Sequence, residues 1–205
     1  DHWESSLDFL PTFKRDHPEW LNPREIFPDY EGNCEIHTSL NYLVPEVRRL
    51  KLRALEELLD RYDLDGVNLD FQRSQFYFRW DKGHSLSYVM TDFVRQTRRL
   101  LDAAGERRGR RLALSVRVCP TLEGSRCAGL DVARWAREGL VDLVTAGTGA
   151  VNFDIQGYRE ALAPYGVGFY PCLYGDYEKT ESSDQVLRGV AETLLLGEPD
   201  GLYSF

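Results

Sequence analysis

The rhythm of apolar and polar positions changes near residue 45. Pro45 can open a helix, because the first turn leaves its missing N–H unneeded. Val47, Leu50, Ala54, Leu55, Leu58, Leu59 and Tyr62 then recur at helical spacing. A turn at Asp63 to Gly66 leads into Val67-Asn68-Leu69-Asp70-Phe71, which alternates with period two. That alternation predicts a short strand with Val67, Leu69 and Phe71 on one face and Asn68 and Asp70 on the other. Further helices are expected at Tyr88 to Ala104 (ending at Gly105), Leu130 to Glu138, Tyr158 to Tyr165 and Asp184 to Leu196. Strands are expected between them at Leu112 to Val118, Val141 to Thr145 and Val167 to Tyr174, and again at Gly201 to Phe205.

Strand–helix alternation implies a parallel α/β sheet with right-handed crossovers. No strand is followed by a Gly-rich phosphate loop of the dinucleotide type. The strands end instead in Asp70, Arg117 and the Tyr174-Gly175-Asp176 run. Strand ends of a closed barrel converge on one face, where active sites sit. The expected fold is therefore a (β/α)8 TIM-type barrel, with an open doubly wound sheet as the competing fold. A strand around Ser39 to Tyr42 brings the count to about six of eight. The whole chain reads as one partial barrel domain, with residues 1–44 as a barrel-top loop region rich in Pro and aromatic residues. A piece of barrel with exposed sheet edges is expected to be poorly soluble or inactive by itself.

Composition narrows the partners. The 205 residues are 42% hydrophobic and 28% charged, and mean hydropathy is -0.43, an ordinary globular balance. No apolar run approaches the ~20 residues that span a bilayer. The formal net charge of -8 opposes a polyanion, so nucleic acid is not an expected partner. Cys34, Cys119, Cys127 and Cys172 form no C-x-x-C pair, and His2, His17, His37 and His84 are scattered. No metal site is expected from that spacing. Localisation stays open, being secreted or periplasmic if the parent protein carries a signal peptide.

The densest chemical signal is Asp65-Gly66-Val67-Asn68-Leu69-Asp70-Phe71-Gln72-Arg73. Hydrolysis of a glycosidic bond needs two carboxyl groups, one protonated and one ionised. A carboxylate at the carboxyl end of a strand is held by a rigid element, and Asp70 meets that requirement. Asp65 lies in the turn before the strand, at the opposite end. Asp176 is the first candidate for the partner acid, Glu178 the second, and Glu123 lies in the loop after the next strand. Arg117 is placed to hold Asp70 ionised or to clamp a substrate anion, and Arg73 has the same options. Trp3, Tyr77, Trp80 and Tyr174 are candidate stacking platforms for sugar rings. Asn68 shares Asp70's face.

Several stretches carry a family resemblance. They are Asp16-His17-Pro18-Glu19-Trp20-Leu21, Leu40-Asn41-Tyr42, Pro45-Glu46-Val47-Arg48 and Arg61-Tyr62-Asp63-Leu64-Asp65-Gly66-Val67-Asn68-Leu69-Asp70-Phe71. Ser115-Val116-Arg117-Val118, Gly129-Leu130-Asp131-Val132 with Trp135, and Gly139-Leu140-Val141-Asp142 continue the series. In order and spacing they resemble the bacterial family-ten-like glycosyl hydrolases of unassigned specificity. The resemblance implies a TIM barrel acting on a poly- or oligosaccharide, and no cofactor is expected. It places Asp70 at the end of the fourth strand and Arg117, Thr145 and Tyr174 near the ends of the next three. It also places Asp1-His2 near the mouth, making His2 and Trp3 substrate-binding candidates. A weaker resemblance is to chitinase-type barrels, whose motif ends in a catalytic Glu. The matching position here is Gln72, and an amide cannot protonate a leaving group. That second resemblance implies a carbohydrate-binding barrel without catalysis.

Overall fold

The computed structural model describes residues 11–22, 39–72, 75–79, 82–147, 152–173 and 183–204. A short helix α1 (Thr12–Asp16) and a 3-10 turn (Pro18–Trp20) precede the main unit. Then follow α2 (Pro45–Arg61), β1 (Gly66–Asp70), α3 (Gly83–Arg108), β2 (Ala113–Val118), α4 (Leu122–Cys127), α5 (Val132–Arg137) and β3 (Leu143–Ala146). The chain continues through α6 (Ile155–Leu162), β4 (Gly168–Leu173), α7 (Ser183–Leu195) and β5 (Tyr203–Ser204).

The five strands form one all-parallel sheet in the order β1-β2-β3-β4-β5. This corrects the expected (β/α)8 barrel with about six strands. Among the described residues the sheet has five strands and does not close, so it is an open half-barrel of the α/β class. The segment expected as a first strand near Ser39 to Tyr42 does not join it. Leu40 makes only an isolated antiparallel bridge with Leu21. Asn41 then forms a turn, its side-chain Oδ1 accepting from Leu43 N at 2.9 Å and its backbone oxygen from Val44 N at 3.1 Å. Tyr42 N is taken by the Tyr77 oxygen at 2.8 Å. These bonds occupy groups that a ladder would need. The doubly wound alternative fails too. Strand order follows chain order without reversing, and α2 touches α3, α3 touches α4 and α5, and α5 touches α6. Helices α2 to α6 thus form one layer on one face.

Local chemistry fixes the element ends. Pro45 is in the first turn of α2, with Glu46 beside it and Arg61 in the last turn, complementing the helix dipole. Thr121, Asp131 and Asp154 cap α4, α5 and α6, each accepting from the backbone N–H three residues on, at 3.0, 3.1 and 3.0 Å. Helix α3 runs through Gly105 and stops at Gly109, which has φ 69°. Gly105 is required by close approach rather than as a terminator, since a Cβ there would stand 2.5 Å from the Arg110 oxygen.

The core lies between sheet and helices. Leu114, Val116, Val118, Val144, Ala146 and Phe169 point under Val94, Leu101, Leu130, Trp135, Tyr158 and Leu162. Trp135 Nε1 donates to Thr91 Oγ1 at 3.0 Å, satisfying both polar atoms inside that core. At the amino ends of the strands, two aspartates extend the ladder. Asp142 N donates to Leu114 O while its Oδ2 accepts from Leu114 N, both at 2.8 Å. Asp200 repeats the device on Phe169, at 3.1 and 2.8 Å. Asp65 lies at this same end with its side chain in solvent, 3.3 Å from Arg110.

Candidate functional site

The face of the sheet away from the helices carries the site. Register sets Asp70 opposite Arg117, Arg117 opposite Thr145 and Thr145 opposite Tyr170. One step toward the amino end, Asn68 stands opposite Ser115. A parallel ladder at ~4.8 Å spacing puts these neighbours within side-chain reach.

Asp70 accepts two hydrogen bonds. Arg117 Nη1 donates to Oδ2 at 3.0 Å, and the backbone N–H of Gln72 donates to Oδ1 at 2.9 Å. The partners differ in exposure: the Arg117 side chain is 2% exposed and that of Asp70 is 35%. Arg117 Nε donates to the Gly147 oxygen at 3.2 Å, just past β3. Asn68 Nδ2 donates to Ser115 Oγ at 2.8 Å on the exposed part of the face. Thr145 is buried, its hydroxyl donating to the Val116 oxygen at 3.4 Å.

Two further groups sense the Asp70 charge. Cys172 is buried on β4, and burial first raises its thiol pKa, with Asp70 adding to the rise and Arg117 opposing it. Tyr77 is buried, and its hydroxyl donates to the Phe71 oxygen. Burial pushes that phenol well above its ordinary range, with smaller contributions from Cys119, Tyr42 and Asp70. The Tyr77 ring meets Tyr42 and Phe71 edge-on at 5.7 and 5.6 Å. It is packing, not an open platform for a sugar.

Of the residues singled out in the sequence, Asn68, Asp70 and Arg117 come together on this face. Asp176, Glu178, His2, Trp3, Arg73 and Tyr174 lie outside the described residues, as does Trp80. Glu123 is on exposed α4, where its carboxylate lies 3.8 Å from Arg126 and accepts from the Cys127 thiol at 3.7 Å. Sequence reasoning missed Ser115 and Gly147. Ser115 was within reach of it, being two residues before Arg117 and so on the same face. Gly147 had no local signal.

Among the described residues no group of three or more His, Cys, Asp or Glu side chains is placed to hold a metal ion. Among them also no helix is long and apolar enough to cross a membrane. Compared with known proteins, the chain matches no family model. No curated protein matches it either.

Proposed function

We propose that this chain carries a glycoside hydrolase site acting on a poly- or oligosaccharide, with Asp70 as its ionised carboxylate. The observation behind the reading is the setting of Asp70. It ends a strand, accepts from a buried guanidinium and a backbone N–H, and keeps a third of its side chain open to solvent. Such a carboxylate suits a nucleophile, a general base or a stabiliser of oxocarbenium charge. The acid partner in this reading is Asp176 or Glu178, and Asn68 with Ser115 supplies hydroxyl-binding groups beside it. The resemblance of the Arg61–Phe71 stretch to family-ten-like glycosyl hydrolases supports the same reading.

A panel of aryl glycosides and oligosaccharides tests it. The wild-type chain is expected to turn over at least one, and Asp70→Asn to lower kcat by ~10³-fold or more while leaving the fold intact. Full activity of Asp70→Asn would remove the basis of the proposal.

One observation favours a second reading, a carbohydrate-binding site without catalysis. Asp70 is the one carboxylate that the described strands carry, and Gln72 follows it with an amide. Under that reading the wild type binds an oligosaccharide without hydrolysing it, and Asp70→Asn weakens binding. Isothermal titration with the same panel separates the two.

A further inference from the structure

We propose that Arg117 is a positioning residue that acts on a ligand through Asp70 rather than by direct contact, tying the aim of that carboxylate to the backbone of Gly147. This rests on reading Asp70 as the functional carboxylate of the sheet face. Exposure gives the first argument. At 2% exposure Arg117 has almost no surface to offer a ligand, whereas Asp70 at 35% does. The buried guanidinium therefore orients the carboxylate and does not itself clamp a substrate anion.

Geometry gives the second argument. Arg117 is rooted in β2, yet it bonds Asp70 Oδ2 on β1 at 3.0 Å and the Gly147 oxygen beyond β3 at 3.2 Å. A guanidinium is planar and rigid, so bonds from Nη1 and Nε keep a fixed angle to each other. Displacement of one acceptor is passed to the other. Gly147 is held from its other side as well. Its N–H donates to the Val118 oxygen at 2.8 Å. Its φ of 80° belongs to the left-handed region, and a Cβ would stand 2.5 Å from the Phe153 ring. The chain of contacts from Phe153 through Gly147 and Arg117 ends on Asp70.

The test needs no substrate at first. In the amide and arginine side-chain NMR spectrum of the full chain, Asp70→Asn keeps the side-chain shape and removes the charge. The expected result is a shift of both the Arg117 Nε–H and the Gly147 amide signals, with Gly139 unmoved at the other end of the sheet. In an Arg117→Lys background the same change is expected to leave Gly147 in place, because lysine has no fork. A Gly147 amide that ignores Asp70→Asn overturns the proposal even if Arg117→Lys does not fold. The kinetic arm uses any aryl glycoside that the wild type hydrolyses. Arg117→Lys is expected to lower kcat by ~10- to 100-fold, the scale of a small misplacement, with KM nearly constant. Gly147→Ala is expected to lower kcat too, and the double variant to be no worse than the poorer single, as for members of one network. A rise in KM at constant kcat would make Arg117 a direct ligand and overturn the inference. Full turnover by Asp70→Asn with the Gly147 shift still present would sink the hydrolase reading and leave the coupling standing.

Discussion

Asp142 offers a sharp test of how this sheet is held at its amino end. Its Oδ2 accepts from the N–H of Leu114, a residue with 0% exposure, and from Arg98 Nη1 at 3.1 Å. Its Oδ1 accepts from Arg111 Nε and Nη2 at 3.1 and 2.8 Å. Replacing Asp142 with Ala strands the Leu114 N–H in the core, which costs ~1–3 kcal/mol. Arg98 is the next loss. Its side chain is only 5% exposed, but it keeps Asp102 at 2.8 Å and the Leu112 oxygen at 2.8 Å, so this part is smaller. The Arg111 side chain is 58% exposed, and solvent screening leaves its pair worth ~1 kcal/mol or less. The sum is ~3 kcal/mol, or a fall in Tm of ~6–12 °C for a domain of this size. Asp142→Asn keeps an oxygen for Leu114 and removes only the charge, so it is expected to cost ~1 kcal/mol. Urea unfolding of the three proteins, followed by circular dichroism, measures both numbers. Equal destabilisation by Ala and Asn would show that the Leu114 bond contributes nothing, and the ladder-extending role assigned to Asp142 would be wrong.

Three further outcomes follow from burial and close approach. Gly105→Ala is expected to lower Tm although Ala is the better helix former by ~1 kcal/mol, because its Cβ would press on the Arg110 oxygen at 2.5 Å; a rise in Tm would show that the helix end gives way freely. Burial pushes the Cys119 thiol from 9.0 up to about 11. A raised folded pKa means that its contribution to stability is full below pH 9.0 and is lost as pH climbs toward about 11. Cys119→Ala is expected to shrink the alkaline loss seen by urea unfolding. An iodoacetamide time course at neutral pH should label exposed Cys127 before buried Cys119 and Cys172.

The α/β class was legible because parallel strands under helices read as short apolar runs, and Leu114, Val116 and Val118 are all buried as that reading requires. The errors have local causes. Gly105 looked like a helix terminator because glycine's two uses, left-handed backbone and close packing, look alike in one sequence. Helix α4 was missed because Leu122–Cys127 buries only Ser125 and so shows no apolar stripe. In α2 and its C-cap the periodic residues split: Val47, Leu55 and Leu59 are buried, while Leu58 is 46% and the C-cap Tyr62 55% exposed. Periodicity gave the helix but not how much of its apolar stripe a neighbour covers. The segment near Asn41 has strand-like residues, and its turn is decided by a bond from Tyr42 to Tyr77, thirty-five positions away.

For the site, period two was enough to put Asn68 and Asp70 on one face, but not to name their partners. A slip of one residue between β1 and β2 would have set Asp70 opposite Val116 or Val118 and turned Arg117 to the other face. Register is a property of the folded pair, so the Asp70–Arg117 ion pair was an option in the sequence and is a contact only in the fold. The division of labour between the two charges has the same origin. Both are ionisable residues near a strand end, and the chain by itself leaves open whether Arg117 supports Asp70 or meets a ligand anion itself. Topology separates them. Arg117 sits on β2, between β1 and β3, where neighbours close over its guanidinium, and Asp70 sits on β1, the first strand of the described sheet. The residue on the outer strand keeps access to solvent, and the inner one becomes its support. The same residue pair on exchanged strands would give a buried carboxylate and an exposed guanidinium, a site suited to holding an anion rather than to presenting one.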